Sequence, residues 1–190
     1  MTGTVDRESV DGESVDGESV RGGSAGAESE SYRITFVCTG NICRSPMAEW
    51  VFRHHIAEAG LADSVIVDSS GTEGWHRGKP ADHRTDATLR RHGYPTGHAA
   101  RPFDARWFPS YDLVIALDSD HHRELRRRAP DDASRAKVRL LREFDPTAAD
   151  LDVPDPYYGE LDGFEDVLRM IESATPGMLD EVRRGLAGRA

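Results

Sequence analysis

One short segment of the chain places a nucleophile and a planar cation with five residues between them: Cys38-Thr39-Gly40-Asn41-Ile42-Cys43-Arg44-Ser45-Pro46. A β-rich run, Ile34, Phe36 and Val37, precedes it, and Pro46 suits the first turn of a following helix, so the segment reads as a strand-to-helix loop. Such a loop turns several free backbone N–H groups toward one point, and the helix dipole adds positive potential there. A phosphate dianion suits that site. Thr39, Gly40, Asn41, Ile42, Cys43, Arg44 and Ser45 would surround it, and Gly40 and Asn41 are residue types that tolerate the positive φ a nest of this kind requires.

Arg44 offers a fork that can grip two phosphate oxygens and stay bound as the oxygens spread in a transition state, which a lysine cannot match. The field that attracts phosphate also favours the Cys38 thiolate, which can attack phosphorus in line. Ser45 can donate a hydrogen bond to that sulfur and ease its departure. An isolated cysteine on a loop is more often a small buried hydrophobe. The combination of Arg44, Ser45 and Pro46 in a strand–loop–helix setting points to the reactive reading.

A leaving phenolate needs a proton, and Asp155-Pro156-Tyr157-Tyr158-Gly159 supplies an acid on a stiff loop flanked by aromatics. Asp-Pro by itself is a common turn, as Asp145-Pro146 in the same chain shows. The two tyrosines distinguish the second copy, because they can line a slot for an aryl ring. Trp75 follows the Gly-rich stretch Ser69-Ser70-Gly71-Thr72-Glu73-Gly74, where it is either a wall of that slot or a surface-packed aromatic.

These groups need a frame that brings loops together. Val65-Ile66-Val67 and the unbroken apolar run Leu113 to Leu117 read as further strands, the second buried on both faces, and Val138, Leu140 and Leu141 suggest a fourth. Asp82 to His92 reads as a helix ended by Gly93, and Asp118-Ser119 can cap another. Strands alternating with helices predict a single α/β domain: a mostly parallel twisted sheet of about four strands with helices on both faces and the site at the strands' carboxyl ends. The last helix carries Phe164, Val167, Leu168 and Ile171 on one stripe and resumes at Met178, Val182 and Leu186, with a kink or break expected at Pro176-Gly177.

Composition narrows the class. A chain of 190 residues suffices for one core. No apolar run approaches the roughly 20 residues of a membrane helix, and no signal-peptide core is present, so the expectation is a cytoplasmic protein without membrane association. Two cysteines cannot make a disulfide framework. Residues 1–31 hold DRESV and DGESV repeats and eight Asp or Glu against two Arg, which accounts for −6 of the net charge of −10. That stretch reads as a disordered acidic extension, leaving residues 32–190 as the domain. The acidic balance argues against nucleic acid. Two cysteines and eight scattered histidines show no zinc spacing, and no Walker-type Gly-Lys-Ser or Gly-Lys-Thr occurs, so neither metal nor cofactor is expected.

From Tyr32 to Arg189 the chain resembles the low-molecular-weight protein tyrosine phosphatases of bacterial type. Val-Cys-Thr-Gly-Asn-Ile-Cys-Arg-Ser-Pro-Met-Ala-Glu at 37–49 is similar to that family's signature, and Asp-Pro-Tyr-Tyr-Gly at 155–159 to its acid loop. The resemblance implies Cys38 as nucleophile, Arg44 as phosphate clamp, Asp155 as general acid, and Trp75, Tyr157 and Tyr158 as a substrate-binding rim. It also implies that Asn41, Ser45, Ser69 and His98 support the loop; without it His98 would be an ordinary turn histidine. Cys43 matches a second cysteine that in many members can pair with the nucleophile, while its plain reading is a buried thiol at a helix start. The implied partner is a tyrosine-phosphorylated protein; a monomer is expected, and no metal is needed because Arg44 and the backbone amides already compensate the phosphate charge.

Two other readings compete. An arsenate reductase of the same fold would need further cysteines, and none follows Cys43. A catalytically idle phosphopeptide-binding module would keep the anion nest but has no use for Asp155.

Overall fold

The computed structural model describes residues 31–189, so all but the last residue of the expected disordered extension lies outside the described residues. The elements follow in the order β1 (Tyr32–Cys38), α1 (Arg44–Glu58), β2 (Val65–Gly71), α2 (His83–Arg91), β3 (Leu113–Ala116), α3 (Ser119–Arg128), α4 (Asp132–Ala136), β4 (Val138–Leu140) and α5 (Leu161–Ala187). Two 3-10 turns, Ala105–Ser110 and Leu141–Phe144, bracket the second half of the sheet. Leu141, expected at the end of the fourth strand, instead opens the second of these turns.

All four strands are parallel in the order β2-β1-β3-β4. β1 is central, and its last residue Cys38 lies opposite Gly71 at the end of β2 while Val37 lies opposite Ala116 at the end of β3. The register therefore brings three strand ends to one edge.

The two-residue period of the strands divides the core in two. Ile34, Phe36, Cys38, Leu113 and Ile115 face α1 and α5, where Met47, Phe52, Val167 and Leu168 are buried with them. Phe36 and Phe52 meet edge to face with centroids 5.8 Å apart. Val37, Val114 and Ala116 face the other way, onto Phe108, Leu125 and Val138. A sheet covered on both faces explains why the Leu113–Leu117 run shows no polar alternation.

Helix starts differ in a way that matters for the site. Asp82, Asp118 and Asp131 cap α2, α3 and α4 by accepting backbone N–H bonds. α1 opens at Arg44, two residues earlier than Pro46 suggests, behind Cys43, which supplies no side-chain cap, and its first turn holds no acidic residue. Its N-terminal donors are left for something else.

α5 runs from Leu161 to Ala187 without the expected break at Pro176. Proline there removes one i to i−4 bond, but Ala174, Thr175, Met178 and Val182 are buried on either side and hold the helix to one course. Gly177 has a separate cause: a Cβ there would run into the carbonyl oxygen of Phe144, which crosses the helix at that point.

Gly177→Ala should therefore destabilise the protein by about 1–3 kcal/mol, the cost of overpacking, although alanine is the better helix former by about 1 kcal/mol. A lowered midpoint in urea unfolding checks this, and a raised one would show that the helix can back away from Phe144.

Candidate active site

The loop after β1 is organised by where its carbonyls go. Cys38 O accepts from Thr72 N at 2.8 Å and Thr39 O from Glu73 N at 2.9 Å, both on the segment leaving β2. Asn41 O accepts from His98 Nε2 at 2.7 Å, Ile42 O from Asp82 N at 2.8 Å and Cys43 O from Met47 N at 3.2 Å. Each of these carbonyls turns outward. No peptide among the described residues is cis, and in a trans peptide the N–H points opposite to its C=O. The N–H groups of Thr39, Gly40, Ile42, Cys43 and Arg44 are thereby directed to the loop's interior, beside the uncapped start of α1.

Asn41, at φ 55°, is the non-glycine residue that takes the left-handed conformation needed to turn the loop. Gly40, expected to share that role, does not have positive φ; its lack of a side chain matters because a Cβ would come 2.8 Å from the His76 ring. Gly71 is required for a similar reason: a Cβ there would lie 2.5 Å from Thr39 O and 3.1 Å from Asn41 N. The loop packs directly on the end of β2.

A chain of hydrogen bonds runs beneath the loop. Asn41 Nδ2 donates to Ser45 Oγ and to Ser69 Oγ, each at 2.9 Å, and Ser69 Oγ donates to Glu49 Oε2 at 2.7 Å. Asn41 Oδ1 accepts from Arg101 N at 2.9 Å. Ser45 Oγ accepts from Asn41 and lies 3.0 Å from Cys38 Sγ and 3.3 Å from Ser70 O, so its one proton is shared between two acceptors, the sulfur the nearer of them. Burial lowers the His98 imidazole, with the bond to Asn41 O opposing, and favours the neutral ring; as the Nε2–H tautomer it donates to that oxygen. Burial also raises the Glu49 carboxyl, with the Ser69 bond opposing. Asn41, Ser45, Ser69 and His98 thus meet at one place.

Arg44 is 3% exposed. Its Nη1 donates to Asp118 Oδ2 at 2.7 Å and to Val153 O at 3.0 Å, and its Nη2 donates to Asp155 Oδ2 at 2.9 Å. Asp118 also accepts the backbone N–H of His121 at 2.8 Å, and its Oδ1 lies 2.8 Å from His121 Nδ1, an ion-pair distance although the ring N–H is not aligned for a hydrogen bond. On its far side the His121 ring shares a 2.8 Å hydrogen bond with Thr39 Oγ1, next to the nucleophile position. Burial by itself would raise the Asp118 carboxyl, but His121 and then Arg44 outweigh it and hold it well below the usual carboxylate range.

Cys38, Arg44 and Asp155 line one cavity of about 260 Å³ together with Trp75, Tyr157 and Tyr158. Cys38 is 3% exposed, whereas Trp75 is 71%, Tyr157 40% and Tyr158 95% exposed. The sulfur sits deep and the aromatics stand at the rim. Tyr157 and Tyr158 meet edge to face at 5.0 Å. Cys43 lines the same cavity, and its thiol is pushed up first by burial and then by the neighbouring Cys38.

Sequence reasoning placed Asp118 only as a helix cap and passed over His76, His121, Glu49 and Arg101. The capping pattern was the one available signal for Asp118. Glu49 closes the 37–49 signature with no sign there of its bond to Ser69, and the others reach the loop from segments whose local sequence is unremarkable in charge and period.

The model of the low molecular weight phosphotyrosine protein phosphatase family matches residues 33–187. A low molecular weight protein-tyrosine-phosphatase of Streptomyces coelicolor is 59% identical over 162 residues, which cover 84% of this chain and 99% of that protein. Low molecular weight protein-tyrosine phosphatase A of Mycobacterium tuberculosis is 48% identical over 161 residues, covering 84% of this chain and 96% of its own. Among solved structures, a protein tyrosine phosphatase of Entamoeba histolytica with Hepes in its active site superposes with a TM-score of 0.79 at 35% identity, covering 82% of this chain and 99% of that one. The inward-facing loop, the deep sulfur and the match across nearly the whole described chain agree: this chain belongs to the low molecular weight phosphotyrosine protein phosphatase family.

Proposed function

We propose that this chain hydrolyses phosphotyrosine on proteins, and small aryl phosphates, through a phosphate ester of Cys38. The observation that carries the proposal is the single cavity in which the buried Cys38, Arg44 and Asp155 lie beneath the aromatic rim. A sulfur at that depth suits a phosphate held out on an aryl ring better than the shorter phosphoserine.

The Cys38 thiolate attacks phosphorus; the S–P bond forms as the bond to the phenolic oxygen breaks. The protonated Asp155 carboxyl gives its proton to the departing oxygen. Asp155 then takes a proton from water, the water oxygen attacks phosphorus, and the S–P bond breaks to return the thiolate, toward which the Ser45 hydroxyl donates. Phosphate oxygens sit among the inward N–H groups throughout. With Nη1 fixed by Asp118 and Val153, Arg44 keeps Nε–H and Nη2–H for the phosphate, and an arriving dianion replaces Asp155 at Nη2 and frees the acid.

The supporting roles of Asn41, Ser45, Ser69 and His98, and the rim role of Trp75, Tyr157 and Tyr158, belong to the same proposal. So does a redox brake. Peroxide would convert Cys38 to a sulfenic acid, and the Cys43 thiol would condense with it to a disulfide, releasing water. Because the chemistry needs a free Cys38 thiol, a reducing compartment such as the cytoplasm suits it. A monomer belongs to the same reading, and the acidic chain is poorly suited to nucleic acid.

Hydrolysis of para-nitrophenyl phosphate in EDTA with reductant tests the mechanism. The wild type should turn over, Cys38→Ser should not, and Asp155→Asn should be slower by about a hundredfold, in the range for a general acid. An inactive wild type that still binds phosphotyrosine peptide would favour the binding-module reading, and equal rates on phosphoserine and phosphotyrosine peptides would contradict the assigned substrate.

The Asp118 carboxyl, held low in the folded state, gives stability that is present above the ordinary carboxylate range of about 4 and is lost as pH falls toward the folded value. The gap in melting temperature between wild type and Asp118→Asn should therefore be widest near neutral pH and narrow below about pH 4. A gap independent of pH would mean that the contacts with His121 and Arg44 contribute nothing through the charge of Asp118.

A further inference from the structure

The segment 154–160 carries Asp155 yet contains neither helix nor strand, and it is tied to the body by a side chain from another element. Arg84, in the first turn of α2, donates from Nη1 to Gly159 O at 2.7 Å and from Nη2 to Tyr157 O at 3.0 Å. Those two carbonyls belong to the turn that Asp155 itself caps, since Asp155 Oδ1 accepts from Tyr157 N at 3.1 Å and Gly159 N donates to Pro156 O at 2.9 Å. The guanidinium lies over the buried Phe164 ring, 4.6 Å from its centroid, and 6.0 Å from that of Tyr157.

Arg84 is itself aimed. Asp82 Oδ1 accepts from Arg84 N and Nε, both at 2.9 Å, and Asp82 Oδ2 accepts from Nη2 at 2.9 Å. The backbone N–H of the same Asp82 donates to Ile42 O in the phosphate loop. One short path thus runs from the loop that would hold the phosphate, through Asp82 and Arg84, to the turn that would supply the proton.

We propose that Arg84 is a positioning residue that sets the acid turn against the phosphate loop and so holds Asp155 within reach of the leaving oxygen. It does not touch the reacting atoms. A general acid works only within hydrogen-bond distance of the oxygen it protonates, so a turn released from Arg84 loses proton transfer before it loses phosphate binding. Lysine cannot replace it, because one ammonium on a flexible stem cannot hold Asp82 and bridge two carbonyls in a plane.

The inference rests on Asp155 acting as the acid, and the test keeps the two apart. Wild type, Arg84→Ala, Arg84→Lys and Asp155→Asn are compared on dinitrophenyl phosphate, whose phenolate leaves without a proton, and on phenyl phosphate, whose phenolate does not. Arg84→Ala should lose about 10- to 100-fold in kcat/KM on phenyl phosphate and no more than about threefold in kcat/KM on dinitrophenyl phosphate, a smaller version of the Asp155→Asn pattern; kcat/KM extends only through transfer to Cys38, ahead of the water step in which Asp155 is the base. Arg84→Lys should follow Arg84→Ala, and it gives the decisive reading should the alanine variant fail to fold. Equal losses on both substrates, or none, in the Arg84 variants while Asp155→Asn remains substrate-dependent would overturn the positioning role alone. Equal losses in Asp155→Asn would overturn the acid assignment and the positioning role together.

Discussion

The structure depends on one constraint: the carbonyls of Cys38, Thr39, Asn41, Ile42 and Cys43 must all point away from the space their N–H groups enclose. A buried carbonyl without a partner costs about 1–3 kcal/mol, so each outward oxygen has to be met by a donor placed there by some other part of the chain. Thr72 and Glu73 come from the exit of β2, His98 from the segment after α2, Asp82 from its cap and Met47 from α1. Gly71 has no side chain because the loop packs on it, and Asn41 takes the left-handed conformation because the turn cannot close otherwise. Parallel pairing of β1 with β2 sets the ends of the two strands side by side and so puts two of these donors, Thr72 and Glu73, where the loop begins.

On that base the charge is arranged in a ring. Burying a guanidinium costs several kcal/mol unless it is paired, and Arg44 is paired twice, to Asp118 and to Asp155. The two carboxylates are not equivalent. Asp118 is fixed by the start of α3 and by His121, whose ring returns to Thr39, whereas Asp155 sits on an irregular turn and is more exposed. The permanent partner orients Arg44, and the looser one can exchange with an anion. A site with this division binds a dianion while keeping one carboxyl free to move a proton.

What the sequence made legible follows the range of the interactions. The loop, its flanking strand and helix and the Asp-Pro-Tyr-Tyr turn are local patterns, and the structure places them at one cavity. Strand runs were legible because both sheet faces are covered, which removes polar residues from Leu113–Leu117. His121, Arg101 and Arg84 were not legible, since an isolated His or Arg carries no sign of which distant group it will meet, and Glu49 stands in the 37–49 signature without a sign that Ser69 is its partner. Pro176 misled for a related reason: the penalty of proline in a helix is local, but the buried stripe that overrides it comes from packing across the whole of α5. Gly40 was assigned a backbone role that Asn41 alone performs, because sequence shows tolerance for positive φ and not which residue must adopt it.

The central claim is that phosphate passes through the Cys38 sulfur. The direct measurement is mass spectrometry of peptides from a turnover mixture quenched in acid, where a phosphocysteine survives long enough to be located. One added phosphoryl group is expected on the peptide containing Cys38, its amount rising in Asp155→Asn with dinitrophenyl phosphate, a substrate that needs no acid to form the intermediate but still needs the base to release it. Phosphate on any other residue, or steady turnover with no phosphorylated peptide at any quench time, would contradict it.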